Sequence, residues 1–190
     1  MDNEKALVLI ERIARKDERA MEEFYRAYAG IVQHFASKTL NNPTDAVEVA
    51  NEVFMDVWRK ADRFEGRSAV RTWLLSITHN KAVDLVRSKA RHDGRVSLDE
   101  HIEIEDEGVF CNAERMRENQ DYKSHLETCM KSLRSGHKQA VYLTFFEELS
   151  YSEIAQVIGI PAGTVKTRMM HAKQQLFACL NRLMPNLLSV

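Results

Sequence analysis

The stretch LSYSEIAQVIGIPAGTVKTRMMHAKQQL, residues 149–176, restricts the fold more than any other part of the chain. Ser150 followed three residues later by Glu153 is a capping box, in which each side chain satisfies a free backbone amide of the other. Ile154, Val157 and Ile158 then recur at helical spacing and face a core. Gly159 permits a tight turn, and Pro161 lies just before the next helical run. Ala155 is small where a second helix can approach closely. The pattern predicts two short-coupled helices, 151–158 and 162–183.

Drawn as a wheel at about 100° per residue, the second helix places Val165, Met169, Ala172 and Leu176 in one stripe about 60° wide. Thr167, Met170, His171 and Gln174 fall opposite. Lys166 and Lys173 flank one side, Arg168 and Gln175 the other. No Asp or Glu occurs from Ala162 to Leu180. An apolar spine, hydrogen-bonding side chains outward and cations at the flanks suit a helix that enters the major groove of DNA. A plain amphipathic hairpin would share the spine; the cap, the glycine turn and the acid-free second helix together favour a helix-turn-helix.

With only 7 Gly and 3 Pro in 190 residues, little turn chemistry is left for a many-stranded sheet, so the whole chain reads as helical. Further helices are expected at about 4–15, 18–40, 45–61 and 70–91, with Asn41-Asn42-Pro43 stopping the second and Thr44 or Asp45 capping the third. Another begins at Asp121, and one runs over about 136–147. The formal net charge of −1 conceals a segregation: residues 96–122 carry nine acidic side chains against two basic ones, between two mildly basic flanks. That acidic stretch lacks a sustained apolar period and reads as a flexible linker. The expected architecture is all-α. A domain at 1–92 is joined by a linker at 93–120 to a helix-turn-helix domain at 121–190.

Cys111, Cys129 and Cys179 are odd in number, widely spaced and without a CxxC. The expectation is no disulfide framework, no zinc finger and a reducing compartment. Cys111 lies among acids that would raise its thiol pKa, so it reads as a bystander rather than a redox sensor. The amino terminus lacks the basic and apolar regions of a secretory signal, and no apolar run approaches the ~18 residues of a membrane span. A cytoplasmic protein without membrane insertion is expected. No GxSxG, HExxH, Walker loop or Cys/His constellation occurs, so neither catalysis nor a metal or other cofactor is expected.

Two constellations lie in the first domain. Asp45, Glu48, Glu52 and Asp56 fall within about 80° on one helical wheel, opposite Val53, Phe54, Val57 and Trp58. The stripe is a solvated face or a partner surface; a carboxylate metal site is weaker, since no histidine is spaced to join it. In RFEGRSAVRTWLLSITHNKAVDLVRSKAR, Trp73, Asn80, Asp84, Arg87 and Arg91 share one side, and Phe64 precedes them in a loop. Rings beside arginines and an amide suit bases that have left the stack; equally, Trp73 and Phe64 can be core.

Taken together, DAVEVANEVFMDVWR (45–59), FEGRSAVRTWLLSITHNKAVDLVR (64–87) and residues 149–176 resemble, in order and spacing, the extracytoplasmic-function sigma factors, the smallest class of bacterial sigma factors. The resemblance implies a factor that brings core RNA polymerase to promoter DNA. Asp45, Glu48, Glu52 and Asp56 would then dock on the clamp coiled coil of the largest polymerase subunit. Arg63, Phe64, Arg67, Ser68, Arg71, Trp73, Asn80 and Arg87 would capture and open the −10 element. Thr164, Lys166, Thr167, Arg168, His171, Lys173 and Gln174 would read the −35 element. The acidic linker would thread polymerase channels, and an anti-sigma factor would be a partner. Arg67, where family members often carry an acid or small polar residue, and Val70, where an aromatic is frequent, depart from the pattern. No regulatory domain is expected after Val190. The alternative is a helix-turn-helix regulator that is not a polymerase subunit; it would need an effector pocket or receiver domain, and no such pattern is present.

Overall fold

The computed structural model describes residues 1–40, 42–92 and 120–184, with side chains from Ser124 onward in the last stretch. The expected linker and Cys111 lie outside the described residues. Among those described there is no strand. The first group of helices is α1 (Asn3–Ala14), α2 (Glu18–Leu40), α3 (Pro43–Lys60), a 3-10 turn (Ala61–Arg63) and α4 (Val70–His92). The second is α5 (Gln120–Lys131), α6 (Ser135–Phe145), α7 (Tyr151–Ile158) and α8 (Ala162–Leu183).

Local chemistry sets the helix ends. Lys16 adopts a left-handed backbone (φ 64°) and breaks α1 from α2. The Asp17 carboxylate then accepts the free amides of Arg19 and Ala20 at 3.0 and 3.2 Å. The Arg12 guanidinium, hydrogen-bonded to Asp17, holds that carboxyl below its ordinary pKa. The cap of α3 is Asn42, two residues before Thr44 and three before Asp45, the expected caps. Its side chain accepts from both of their amides, and Pro43, which has no amide to satisfy, takes the first helical position. The Ser150–Glu153 capping box and the left-handed Gly159 (φ 68°) are formed as expected.

Three apolar clusters organise the packing. Helices α1–α4 enclose Ile13, Phe24, Val32, Val53, Val57 and Leu74. Helices α5, α6 and α8 enclose Met130, Leu133, Ala140, Met169 and Ala172. The third cluster joins the two groups: Phe35 of α2 and Leu75 of α4, both fully buried, pack with Tyr142, Leu143, Leu149, Ile154, Val157, Ile158 and Val165. Fully burying a Phe or Leu side chain is worth about 1.5–3 kcal/mol, so this seam holds the two helical groups together.

The expectation that the cysteines form no disulfide is overturned. Cys129, fully buried on α5, is disulfide-bonded to Cys179 on α8, with their Cα atoms 5.7 Å apart. Distance along the chain hides a pairing that arises because α5 and α8 pack side by side. A bridge across 50 residues restricts the unfolded chain by about 4 kcal/mol on the chain-entropy estimate. Reductant should therefore lower the melting temperature of the second helical group by several degrees, measured by calorimetry. The Cys129→Ala/Cys179→Ala double variant should melt at one temperature with or without reductant.

Candidate nucleic-acid interface

Helix α8 presents the wheel the sequence predicts. Val165, Met169 and Ala172 are buried and Leu176 is half-buried. Thr164, Lys166, Thr167, Met170, His171, Lys173 and Gln174 are exposed. Arg168 differs. It is half-buried, and its guanidinium lies over Gly136 at the start of α6, where an added Cβ would stand 3.0 Å from Arg168 Cζ. His137 of α6 also faces α8: its Nδ1 is 3.2 Å from Gln175 Oε1, and its ring meets His171 edge-on at 6.0 Å. The first turn of α6 and one flank of α8 thus form one surface carrying His137, Arg168, His171 and Gln175, with Lys173 on the opposite flank of α8.

From the 3-10 turn through the 64–69 loop and along α4, the structure separates the expected −10 residues into three situations. Arg63, Arg67, Asn80 and Arg87 are exposed, and Ser68 is half-buried. Arg67 pairs with Glu65 at 2.5 Å. Phe64 and Trp73 are half-buried, their rings 4.9 Å apart, and both pack against the first core. They are therefore partly core, with part of each ring left at the surface. Arg71 is turned toward the second helical group. Its Nη2 donates to Glu147 Oε2, and its Nε is buried without a hydrogen-bond partner. Glu147 is 5% exposed, and its other oxygen accepts from Tyr142 Oη at 2.7 Å. Burial first, then the hydrogen bond to Glu147, pushes the Tyr142 hydroxyl far above its ordinary pKa. Next along α4, Thr72 donates to Glu153 Oε1 at 3.2 Å, and Ser76 reaches the carbonyl of Gln156 at 3.3 Å.

The acidic stripe of α3 is divided. Asp45 pairs with Lys89 at 2.5 Å. Asp56 lies 2.8 Å from Lys60 and 3.5 Å from Lys81. Both carboxylates are about 15% exposed. Burial alone would raise the Asp56 pKa, but the lysines outweigh it and the net shift is downward. Glu52 also contacts Lys81, at 3.1 Å, yet remains open to solvent, as does Glu48. The free face of α3 is therefore Glu48, Asn51 and Glu52 together with exposed Val47 and Met55. The two apolar side chains were not singled out by the charge pattern. Among the described residues no group of three or more His, Cys, Asp or Glu side chains is arranged to hold a metal ion. Likewise, no helix is long and apolar enough to cross a membrane.

Residues 24–92 match the family Sigma-70 region 2, and residues 125–176 match Sigma-70, region 4. The two matches span well over half of the chain, which belongs to the sigma-70 family of transcription initiation factors. Within that family it is an extracytoplasmic-function sigma factor. It is 26% identical over 180 residues to the ECF RNA polymerase sigma factor SigK of Mycobacterium tuberculosis, covering 91% of this chain and 92% of that one. It is also 26% identical over 179 residues to SigK of Mycolicibacterium vanbaalenii, covering 90% and 87%. Two solved structures share the fold. One is CnrH in complex with the cytosolic domain of CnrY, with TM-score 0.62, 22% identity and 94% and 98% of the two chains covered. The other is the sigma factor RpoE with the anti-sigma factor NepR from Bartonella quintana, with TM-score 0.62, 23% identity and 84% and 96% covered.

One titrating group sits where the two helical groups meet. His79 of α4 is 9% exposed, with Gln139 Nε2 of α6 3.1 Å from its Nδ1. Burial, with the charge of Arg87 adding to it, lowers its pKa to about 4. An unfolded histidine takes a proton near 6.5, whereas the folded one stays neutral until about 4. Stability is therefore full above pH 6.5 and falls as pH drops toward 4, by about 3 kcal/mol at the lower end. Urea unfolding between pH 7 and 5 should show this loss in the wild type, and His79→Gln should flatten it.

Proposed function

We propose that this sigma factor divides its work among three surfaces: the outer face of α3 docks on core RNA polymerase, the 64–69 loop with α4 opens the −10 element, and α8 reads the −35 element. The observation that carries the reading is the α8 wheel. Its spine is buried while Lys166, Thr167, His171, Lys173 and Gln174 stay exposed on a helix without a single acid before Asn181. Such a face complements a phosphate-lined groove. Domain limits of 1–92 and 121–190 with a connecting linker fit this division. The role is binding rather than catalysis, carried out in the cytoplasm where the polymerase works. Control by an anti-sigma factor fits as well, since the relatives of like fold named above are found in complex with the cytosolic domain of CnrY and with NepR.

Run-off transcription on genomic fragments, with core polymerase and this chain together and each alone, tests the reading. Transcripts that require both support it. DNA binding that is strong without polymerase, and transcripts indifferent to this chain, would favour the independent regulator instead.

Two sets of variants separate the surfaces. Reversing Glu48 and Glu52 to Lys should weaken core-polymerase binding at least tenfold with unchanged helical circular dichroism. Asp45→Asn should instead leave polymerase binding near wild type, because its carboxylate is engaged with Lys89. On the DNA side, Lys173→Ala should weaken holoenzyme binding about equally across −35 variants and reduce the salt slope by about one. Arg168→Ala should cost about 1–3 kcal/mol and relax preference at one −35 position. Holoenzyme affinity for a panel of −35 substitutions at two salt concentrations measures both, and wild-type behaviour of both variants would remove α8 as the reader.

A further inference from the structure

We propose that Glu147 is a competitor for DNA phosphate built into the chain, holding Arg71 away from the melted −10 strand until the strand displaces it. The proposal rests on the assignment of Arg71 to the −10 surface given above. Arg71 is drawn out of that surface by a carboxylate on the far side of the seam: its Nη2 donates to Glu147 Oε2. Glu147 is 5% exposed and oriented from behind by the Tyr142 hydroxyl at 2.7 Å. A carboxylate presents a guanidinium with the same charge and acceptor geometry as a phosphate.

Two features make the pairing exchangeable rather than a fixed strut. Arg71 Nε is buried and has no hydrogen-bond partner, so the guanidinium is not fully satisfied where it lies. The Arg71 side chain is also still 36% exposed against 6% for Glu147, so the cation can swing outward while the carboxylate stays put. The adjoining α4 positions follow the same pattern, with Thr72 donating to Glu153 and Ser76 reaching Gln156. The chain thus occupies one edge of α4 with acceptors from the α6–α7 turn and α7, where a nucleic-acid backbone would otherwise supply them. The seam packing of Phe35, Leu75 and the Tyr142 ring is apolar and does not include Arg71, so an outward swing of the Arg71 side chain does not require the two helical groups to part.

The test uses the full chain without polymerase and a fluorescein-labelled single-stranded oligothymidylate of twelve nucleotides, read by anisotropy. Glu147→Gln should bind at least tenfold tighter than wild type, and Arg71→Ala/Glu147→Gln should lose that gain. Tyr142→Phe, which keeps the ring and releases the carboxylate, should gain about threefold; it carries the test if circular dichroism shows Glu147→Gln to be misfolded. Affinity equal to wild type in a folded variant overturns the proposal. Arg71→Ala is then examined in holoenzyme, on a promoter recovered by run-off transcription. Slowed opening there, with no gain from Glu147→Gln, means that Arg71 serves the −10 element and Glu147 does not compete. Unimpaired opening means that the −10 assignment of Arg71 fails, and the proposal with it.

Discussion

Everything in this fold turns on α4 being buried on two sides. Val70, Leu74 and Ala82 complete the core that α1, α2 and α3 begin, while Leu75, next to Leu74 and about 100° around the helix, faces the α6–α7 group. One helix therefore belongs to two cores. Its remaining surface must carry whatever polar chemistry the helix offers, and that surface is narrow. Arg71, Thr72 and Ser76 border the second core and are drawn into contacts with Glu147, Glu153 and Gln156. Asn80, Asp84 and Arg87 stay in solvent. Because Glu153 is also the capping residue of α7, the same carboxylate that starts the helix-turn-helix ties it to α4. Those hydrogen bonds, with Ser150 foremost, keep its pKa below the ordinary glutamate value.

Electrostatics between α3 and α4 follows a similar economy of surface. A stripe of four acids on α3 would repel itself if all four faced solvent together. Lys81 and Lys89 of α4, with Lys60 of α3, neutralise Asp45 and Asp56 at the edge of the stripe. Only Glu48 and Glu52 are left open to solvent, beside Val47 and Met55. Exposed pairs of this kind contribute little to stability. Their consequence is in shaping the surface: a broad acidic face becomes a small mixed patch in which Val47 and Met55 flank Glu48, Asn51 and Glu52.

How much of this could be read from the residues depends on the range of the interaction. The α8 stripe was legible because burial follows a 3.6-residue period, and Val165, Met169 and Ala172 fall inward without reference to anything distant. The capping box and the Gly159 turn were legible for the same local reason. What was missed joins elements far apart in sequence. The Cys129–Cys179 bond crosses 50 residues, and Arg71 meets a carboxylate 76 residues away. The withdrawal of Asp45 depends on Lys89 of the next helix, and that of Asp56 on Lys81 of the next helix together with Lys60 of its own. The α3 cap was displaced by a local competition: a proline at the first helical position needs no amide partner, which frees Asn42 to serve its two neighbours. Phe64 and Trp73 show the limit of periodicity, since it cannot say how deep a ring at the edge of a core will sit.

Under the roles proposed for α4 and α8, this arrangement treats the two helices unequally. The outward face of α8 is displayed, whereas α4 is covered along the edge that carries Arg71. A chain in this state can offer groove-reading chemistry before it offers strand-holding chemistry. Duplex recognition needs only the displayed face, because the groove of an intact helix already presents its phosphates and base edges. Holding a melted strand needs cations and rings that would bind single-stranded nucleic acid indiscriminately if left open, since stacking and phosphate contacts are tolerant of sequence. Keeping those groups paired within the protein until a strand competes for them converts an unselective surface into one that acts late. On that proposal, the order in which surfaces become available is set by the carboxylates that the α6–α7 turn and α7 place against α4.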